Sequence, residues 1–149
     1  MSLRQLSATD IPSADDAGGA SAGVRFARAL AAKDRTALRA CLADSLDFQA
    51  LTPGRSWRAG TPEELIEQII LGRWFGPGDD IRELRSVVDG SVVGRGHVAY
   101  LVLVNRADGD YLVEQQAYYD VQGDHVQGDR ISWMRVLCSG YQALGDARA

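Results

Sequence analysis

The stretch Tyr111-Leu-Val-Glu-Gln-Gln-Ala-Tyr-Tyr-Asp-Val121 decides the fold. It is long and dense in β-branched and aromatic residues, so it reads as one extended strand. His97-Val-Ala-Tyr-Leu-Val-Leu-Val-Asn105 precedes it and Ile131-Ser-Trp-Met-Arg-Val-Leu-Cys138 follows, with Asp-Gly and Gly-Asp turns between them. Three long strands joined in this way form an antiparallel meander. Ile81 to Val88 adds a fourth, whose charged half (Arg82, Glu83, Arg85) suits an edge.

Upstream of the meander the pattern is helical. Ser21 is a candidate N-cap for a helix with Val24, Phe26, Ala27, Leu30 and Ala31 on its apolar side. Lys33-Asp34 interrupts it, and Asp34 can cap a second helix through Leu38, Cys41 and Leu42. Leu46-Asp-Phe-Gln-Ala-Leu51 alternates as a short strand, Thr52-Pro53-Gly54 turns it, and Ser56-Trp57-Arg58 forms a small return strand. Thr61-Pro62-Glu63-Glu64 is a capping box with proline at the first helical position. Leu65, Ile66, Ile69 and Ile70 give that third helix its buried side, and Gly72 and Gly76-Pro77-Gly78 end it after Trp74 and Phe75. Two five-residue echoes, Ser86–Gly90 with Ser91–Arg95 and Val121–His125 with Val126–Arg130, are read as elongated hairpin tips.

Length and composition bound the function. A chain of 149 residues, 46% hydrophobic and 24% charged, is one ordinary globular domain. A net charge of −4 with arginines scattered among acids argues against a nucleic-acid partner. No apolar run is long enough for a membrane span, and the leader lacks a signal-peptide core, which points to the cytoplasm. The expected organisation is a mobile leader over 1–19, a domain over 20–142 and a tail over 143–149.

At this point the chain resembles the nuclear transport factor 2-like superfamily, in its SnoaL-like branch. The residues that carry the likeness are Phe26-Ala-Arg-Ala-Leu30, Leu46-Asp-Phe-Gln-Ala-Leu-Thr-Pro-Gly54, Trp57-Arg-Ala-Gly60 and Arg130-Ile-Ser-Trp-Met-Arg-Val136. The resemblance implies an α+β fold: a cone-shaped, strongly curved antiparallel sheet with three helices on its concave face, a cystatin-like α+β barrel. It also implies an apolar pocket in the cone and a homodimer. Fold relatives include ketosteroid isomerases, polyketide cyclases and limonene epoxide hydrolases.

Strand parity assigns the faces. A two-residue Asp108-Gly109 turn pairs Val104 with Val113, Val102 with Gln115, Tyr100 with Ala117 and Val98 with Tyr119, all looking into the cone. Ser132, Met134, Val136 and Cys138 join them from the last strand. The expected ligand-binding set is Tyr100, Gln115, Tyr119, Trp57, Trp74 and Met134, which bring aromatic area with a few polar handles for a small apolar molecule. The reverse face carries Leu101, Leu103, Tyr118, Trp133, Arg135 and Leu137, a mixed apolar patch suited to a second copy.

Classical chemistry finds little support. His97 and Asp120 could pair across strands, but on the outward face, where a structural contact is the simpler reading. Two histidines, His97 and His125, are too few for a metal centre, and no cofactor motif is present. Cys41 and Cys138 read as free thiols. Ketosteroid isomerases hold an Asp base and a protonated Asp at positions that fall here at Ala50 or Leu51 and near Ala117, so those roles do not carry over. Asp47 sits on the less apolar parity of its strand. Three functions stay open: a ligand-binding protein; an isomerase, cyclase or hydrolase using Tyr100 or Tyr119 as donor on a polyketide-, terpenoid- or steroid-like substrate; or a dimeric association module with a filled cone.

Overall fold

The computed structural model describes residues 20–124 and 128–146. The expected leader, His125 and the centre of the second echo lie outside the described residues.

Each helix starts where a polar side chain can accept the orphan N–H groups of its first turn. Helix α1 (Ala22–Ala31) is capped by Ser21, whose Oγ accepts from Val24 N–H at 3.1 Å. Lys33 turns the chain at φ 52°, and Asp34 caps α2 (Arg35–Cys41) by accepting from Ala37 N–H at 3.0 Å. Thr61 Oγ1 accepts from Glu64 N–H at 3.2 Å, while Glu64 reaches back to Gly60 N–H at 2.8 Å, one residue earlier than a standard capping box. The helix that follows, α3 (Glu64–Trp74), is wound wide, with i→i−5 hydrogen bonding such as Phe75 N–H to Ile70 C=O at 2.7 Å. Gly72 lies inside this helix rather than ending it: the wide turn brings the Glu67 carbonyl against residue 72, where any side chain would collide with it.

The strands are β1 (Leu42–Thr52), β2 (Arg55–Ala59), β3 (Asp80–Val92), β4 (Arg95–Arg106), β5 (Gly109–Asp124), β6 (Gly128–Cys138) and β7 (Gln142–Ala143). They form one sheet in the order β2-β1-β6-β5-β4-β3, with β7 pairing with the start of β5. The α+β class, the three helices and the curved sheet agree with the sequence. Two details are corrected. β1 runs parallel to β6, so the sheet is mixed, as a connection through β2, α3 and the meander permits. The sheet is also open, ending at β2 and β3, so it is not a closed barrel.

The β4–β5 turn is Ala107-Asp108, one residue earlier on each side than expected. Arg106 therefore pairs with Gly109, Val102 with Val113, Tyr100 with Gln115, Val98 with Ala117 and Gly96 with Tyr119. A slip of two preserves parity, so the inward face is as read: Val98, Tyr100, Val102, Val104, Val113, Gln115, Ala117 and Tyr119 are all buried. On β6 a bulge falls at Ser132, between the pairs Asp120–Trp133 and Val121–Ile131. The bulge buries Ile131 and leaves Ser132 out of the inward row, contrary to simple alternation. The first echo is likewise strand rather than turn. β3 and β4 pair without a break from Asp89–Val98 out to Val92–Arg95, and only Val93 and Gly94, both at positive φ, make the tip.

The helices close over the inward face. Phe26 of α1 meets Tyr100 edge-on at 6.4 Å, and Phe26 and Leu30 are fully buried, each contributing roughly 1.5–3 kcal/mol. The Tyr119 ring fits between α1 and β4 because residues 23 and 96 are glycines. A Cβ at Gly96 would sit 2.5 Å from the ring, and one at Gly23 2.6 Å. The far end is tied by Asp79, which accepts from Arg106 Nε at 3.0 Å and Gly76 N–H at 3.1 Å. Tyr141 lies under the Arg106 guanidinium and donates to Trp74 C=O at 2.6 Å.

Gly96→Ala is expected to lower stability by about 1–3 kcal/mol, measured by urea unfolding. The loss should shrink in a Tyr119→Leu background, where the ring is absent. An equal loss in both backgrounds would assign it to the strand backbone instead.

Candidate functional site

The floor of the cone is built by the register of β4 and β5. Because Tyr100 faces Gln115 directly, its hydroxyl donates to Gln115 Oε1 at 2.6 Å. Both side chains are sealed, at 1% exposure. Burial pushes the Tyr100 phenol well above its usual range, so it stays a neutral donor. Gln115 Nε2, on the other end of the amide, is buried without a partner. Met134 and Ala117 pack beside this pair in the same core.

A second cluster forms where the β1–β2 hairpin meets the end of α3. Trp57 pairs with Ala50 across the hairpin and shares its helix-facing side. Its Nε1 donates to Thr52 Oγ1 at 2.8 Å. Trp74 meets Trp57 edge-on at 6.0 Å and Phe48 at 6.1 Å, and its own Nε1 is buried without a partner. Trp57 is half-buried, and a groove of about 270 Å³ runs past it between β2 and α3.

Tyr119 lies toward the opposite end of the meander and donates to Asp89 Oδ1 at 3.0 Å. Burial raises its phenol and Asp89 adds to this, while the Ser21 hydroxyl and Gly23 backbone oppose it. Asp89 is the residue that sequence reasoning missed. It lies in the first echo, taken for a turn; once that segment is recognised as strand, its reach to Tyr119 follows.

The six expected ligand-binding residues are thus all on the helix-facing side of the sheet, in three places: Tyr100, Gln115 and Met134 at the floor, Trp57 and Trp74 at the hairpin, and Tyr119 beside Asp89. Their side chains fill much of the cone.

The outward face differs from expectation in its pairs. Asp120 takes both guanidinium donors of Arg95, at 2.9 and 3.0 Å, and His97 stacks on Tyr118 at 4.7 Å with Nε2 3.2 Å from Gln116 Oε1. The expected His97–Asp120 pair does not form, since the shifted register sets His97 opposite Tyr118 and brings Asp120 to Arg95 at the start of β4. Asp47 is outward as well and pairs with Arg135 at 3.1 Å. Arg95 and Arg135 stack against Trp133, at 3.9 and 4.5 Å from its ring centre. Tyr118 and Leu137 stay open, at 40% and 62% exposure. Both cysteines are free, and burial raises the Cys41 thiol. Among the described residues no metal-competent cluster occurs, and no helix is long and apolar enough to cross a membrane.

Neither a protein-family model nor a curated protein matches the sequence. Solved structures do match by shape. LinA superposes with a TM-score of 0.60 at 12% identity, covering 95% of this chain and 97% of its own. A LEH-like epoxide hydrolase from M. tuberculosis gives 0.55 at 14%, with 79% and 80% covered. A ketosteroid isomerase-like protein from Erwinia carotovora atroseptica gives 0.53 at 15%, with 78% and 90% covered. The chain has the nuclear transport factor 2-like fold.

Tyr100→Phe should cost about 1–3 kcal/mol, because the Gln115 side chain then loses its only partner among the described residues, and Tyr100→Phe with Gln115→Leu should recover much of that. The unfolded chain ionises its phenols near about pH 10, whereas folded Tyr100 does not. Its contribution is therefore complete below that pH and lost as pH rises beyond it. Urea midpoints between about pH 9 and 11 should fall less steeply for Tyr100→Phe than for the native chain.

Proposed function

We propose that this protein binds a small, largely apolar molecule against the aromatic wall of the cone, entering beside Trp57. The observation that carries the reading is the pair of buried, unpartnered donors, Trp74 Nε1 and Gln115 Nε2, in an otherwise apolar interior. Each such donor costs about 1–3 kcal/mol when unmet, and a ligand oxygen would relieve that cost. The groove beside Trp57 would seat a planar ring system against that ring, which in turn meets Trp74 edge-on, and fold neighbours bearing isomerase-like and hydrolase-like names add weight to a small-molecule role. Naphthaleneacetamide, an apolar body with one amide, is a suitable probe. It should quench tryptophan emission on binding and bind several-fold more weakly to Trp74→Phe, which keeps an aromatic ring in place but removes the indole N–H. No binding, or equal affinity for the variant, overturns the reading.

The outward face supports a second, compatible role as a homodimer contact. Leu137 and Tyr118 are exposed there beside Leu101, Leu103, Trp133 and Arg135. Sedimentation should show a dimer that Leu137→Arg dissociates without loss of fold. A native monomer rules it out.

A further inference from the structure

We infer that the ligand carries an oxyanion, a carboxylate in the simplest case, held at the mouth of the cone by Arg55 and Arg73. This rests on the cone-binding reading above and narrows its substrate class to amphiphilic acids.

The inference comes from how the arginines are used. Seven of the described arginines, Arg35, Arg39, Arg82, Arg85, Arg95, Arg106 and Arg135, each reach a carboxylate oxygen within 4.0 Å, while Arg25 donates to the backbone carbonyls of Ala20 and Asp129, and Arg58 and Arg130 have no ion pair among the described residues. Arg55 and Arg73 have no ion pair among the described residues, although the chain is acidic overall and carboxylates are plentiful. Both instead converge on one ring. The Arg55 guanidinium carbon lies 3.8 Å from the centre of Trp57, and that of Arg73 lies 5.6 Å away.

Stacking makes this more than two loose charges. A guanidinium on an aromatic face uses its π-surface and leaves its edge, with the N–H donors, free. A stacked arginine is thus partly ordered and still able to grip a carboxylate through two parallel hydrogen bonds. The two cations come from different elements, Arg55 from β2 and Arg73 from the last turn of α3, and line the same groove. Glu64 also lines it, but one of its oxygens accepts from Gly60 N–H. Charge on an edge strand discourages aggregation, and a cation suits a helix C-terminus. Neither effect requires both side chains to gather over Trp57.

Below the cations the wall is aromatic: Trp57, then Trp74 with its unmet N–H, then Phe48. The order from solvent inward is therefore a pair of cations, the Trp57 ring on which they gather, and the buried Trp74 N–H behind it. It fits a ring system with an acidic group at one end and an acceptor atom at the other.

Naphthaleneacetate and naphthaleneacetamide share one skeleton and differ in charge, so calorimetric titration with both separates the two claims. The native protein should bind the acetate about tenfold more tightly than the amide. Arg55→Gln with Arg73→Gln should abolish that preference, so that the two probes bind alike. Arg82→Gln, which removes a positive charge on β3, should leave it intact. Equal binding of the two probes, or a preference that survives the double substitution, overturns the oxyanion site while the cone reading stands. Acetate binding that depends on the two arginines, without amide binding, keeps the oxyanion site and removes the cone reading. Binding of neither probe removes both.

Discussion

The two-residue turn at Ala107-Asp108 is the constraint on which the interior depends. By joining Arg106 to Gly109 it sets every partner along β4 and β5. Tyr100 then faces Gln115, which allows the buried hydroxyl–amide bond, and Gly96 faces Tyr119, which gives the large ring a place to lie. A slip of one would turn all of these side chains to the outward face and expose the valines that hold the helices. The same register moves Asp120 beyond His97 and hands it to Arg95, so the outward ion pair and the inward hydrogen bond have one cause.

Parity was legible because it needs only alternation. Val98 to Val104 and Val113 to Tyr119 declare a buried face, whichever even shift is chosen. Absolute register was less legible, since Asp108-Gly109 is a strong turn dipeptide and Ala107-Asp108 is not. The preference lost to the longer ladder, in which Gly109 takes φ 140° as the first residue of β5 rather than as part of the turn. The bulge at Ser132 left no local signal, because it serves β6 as it runs between β5 and β1. The echo Ser86–Arg95 misled in another way: its glycines suggested turns, yet only Gly94 is in one, and Gly90 lies within the edge strand β3.

The helix caps were the most legible features, being local. Ser21, Asp34 and Thr61 each bond the N–H three residues on, as their positions before apolar runs suggested. The width of α3 was not, because i→i−5 winding is a response to packing. Leu65, Ile66, Ile69, Ile70 and Trp74 are all buried, a spread that the wider turn gathers toward the core. The candidate site divides along the same line. Which aromatic side chains are inward follows from alternation, whereas unmet donors and stacked arginines arise from three-dimensional convergence. Arg55 and Arg73 are 18 positions apart on unrelated elements, and nothing in their sequence neighbourhoods joins them.

The apolar residues at the floor also bear on what chemistry the cone can host. Ala50 and Ala117 are buried, with Trp57 opposite one and Val98 and Val136 flanking the other. A carboxylate at either position would have to remain protonated or recruit a partner, since an isolated buried charge is strongly disfavoured. The polar groups buried on the inward face are instead neutral: two phenols whose ionisation burial opposes, one amide and one indole N–H, the Asp89 carboxylate that Tyr119 meets being exposed. Neutral donors in an apolar wall can orient an acceptor atom without placing a charge in the interior. In the complex we propose, the charge would lie instead at Arg55 and Arg73, which are exposed, and only the ligand's apolar body would be buried. That separation would let the interior stay apolar while the rim sets specificity.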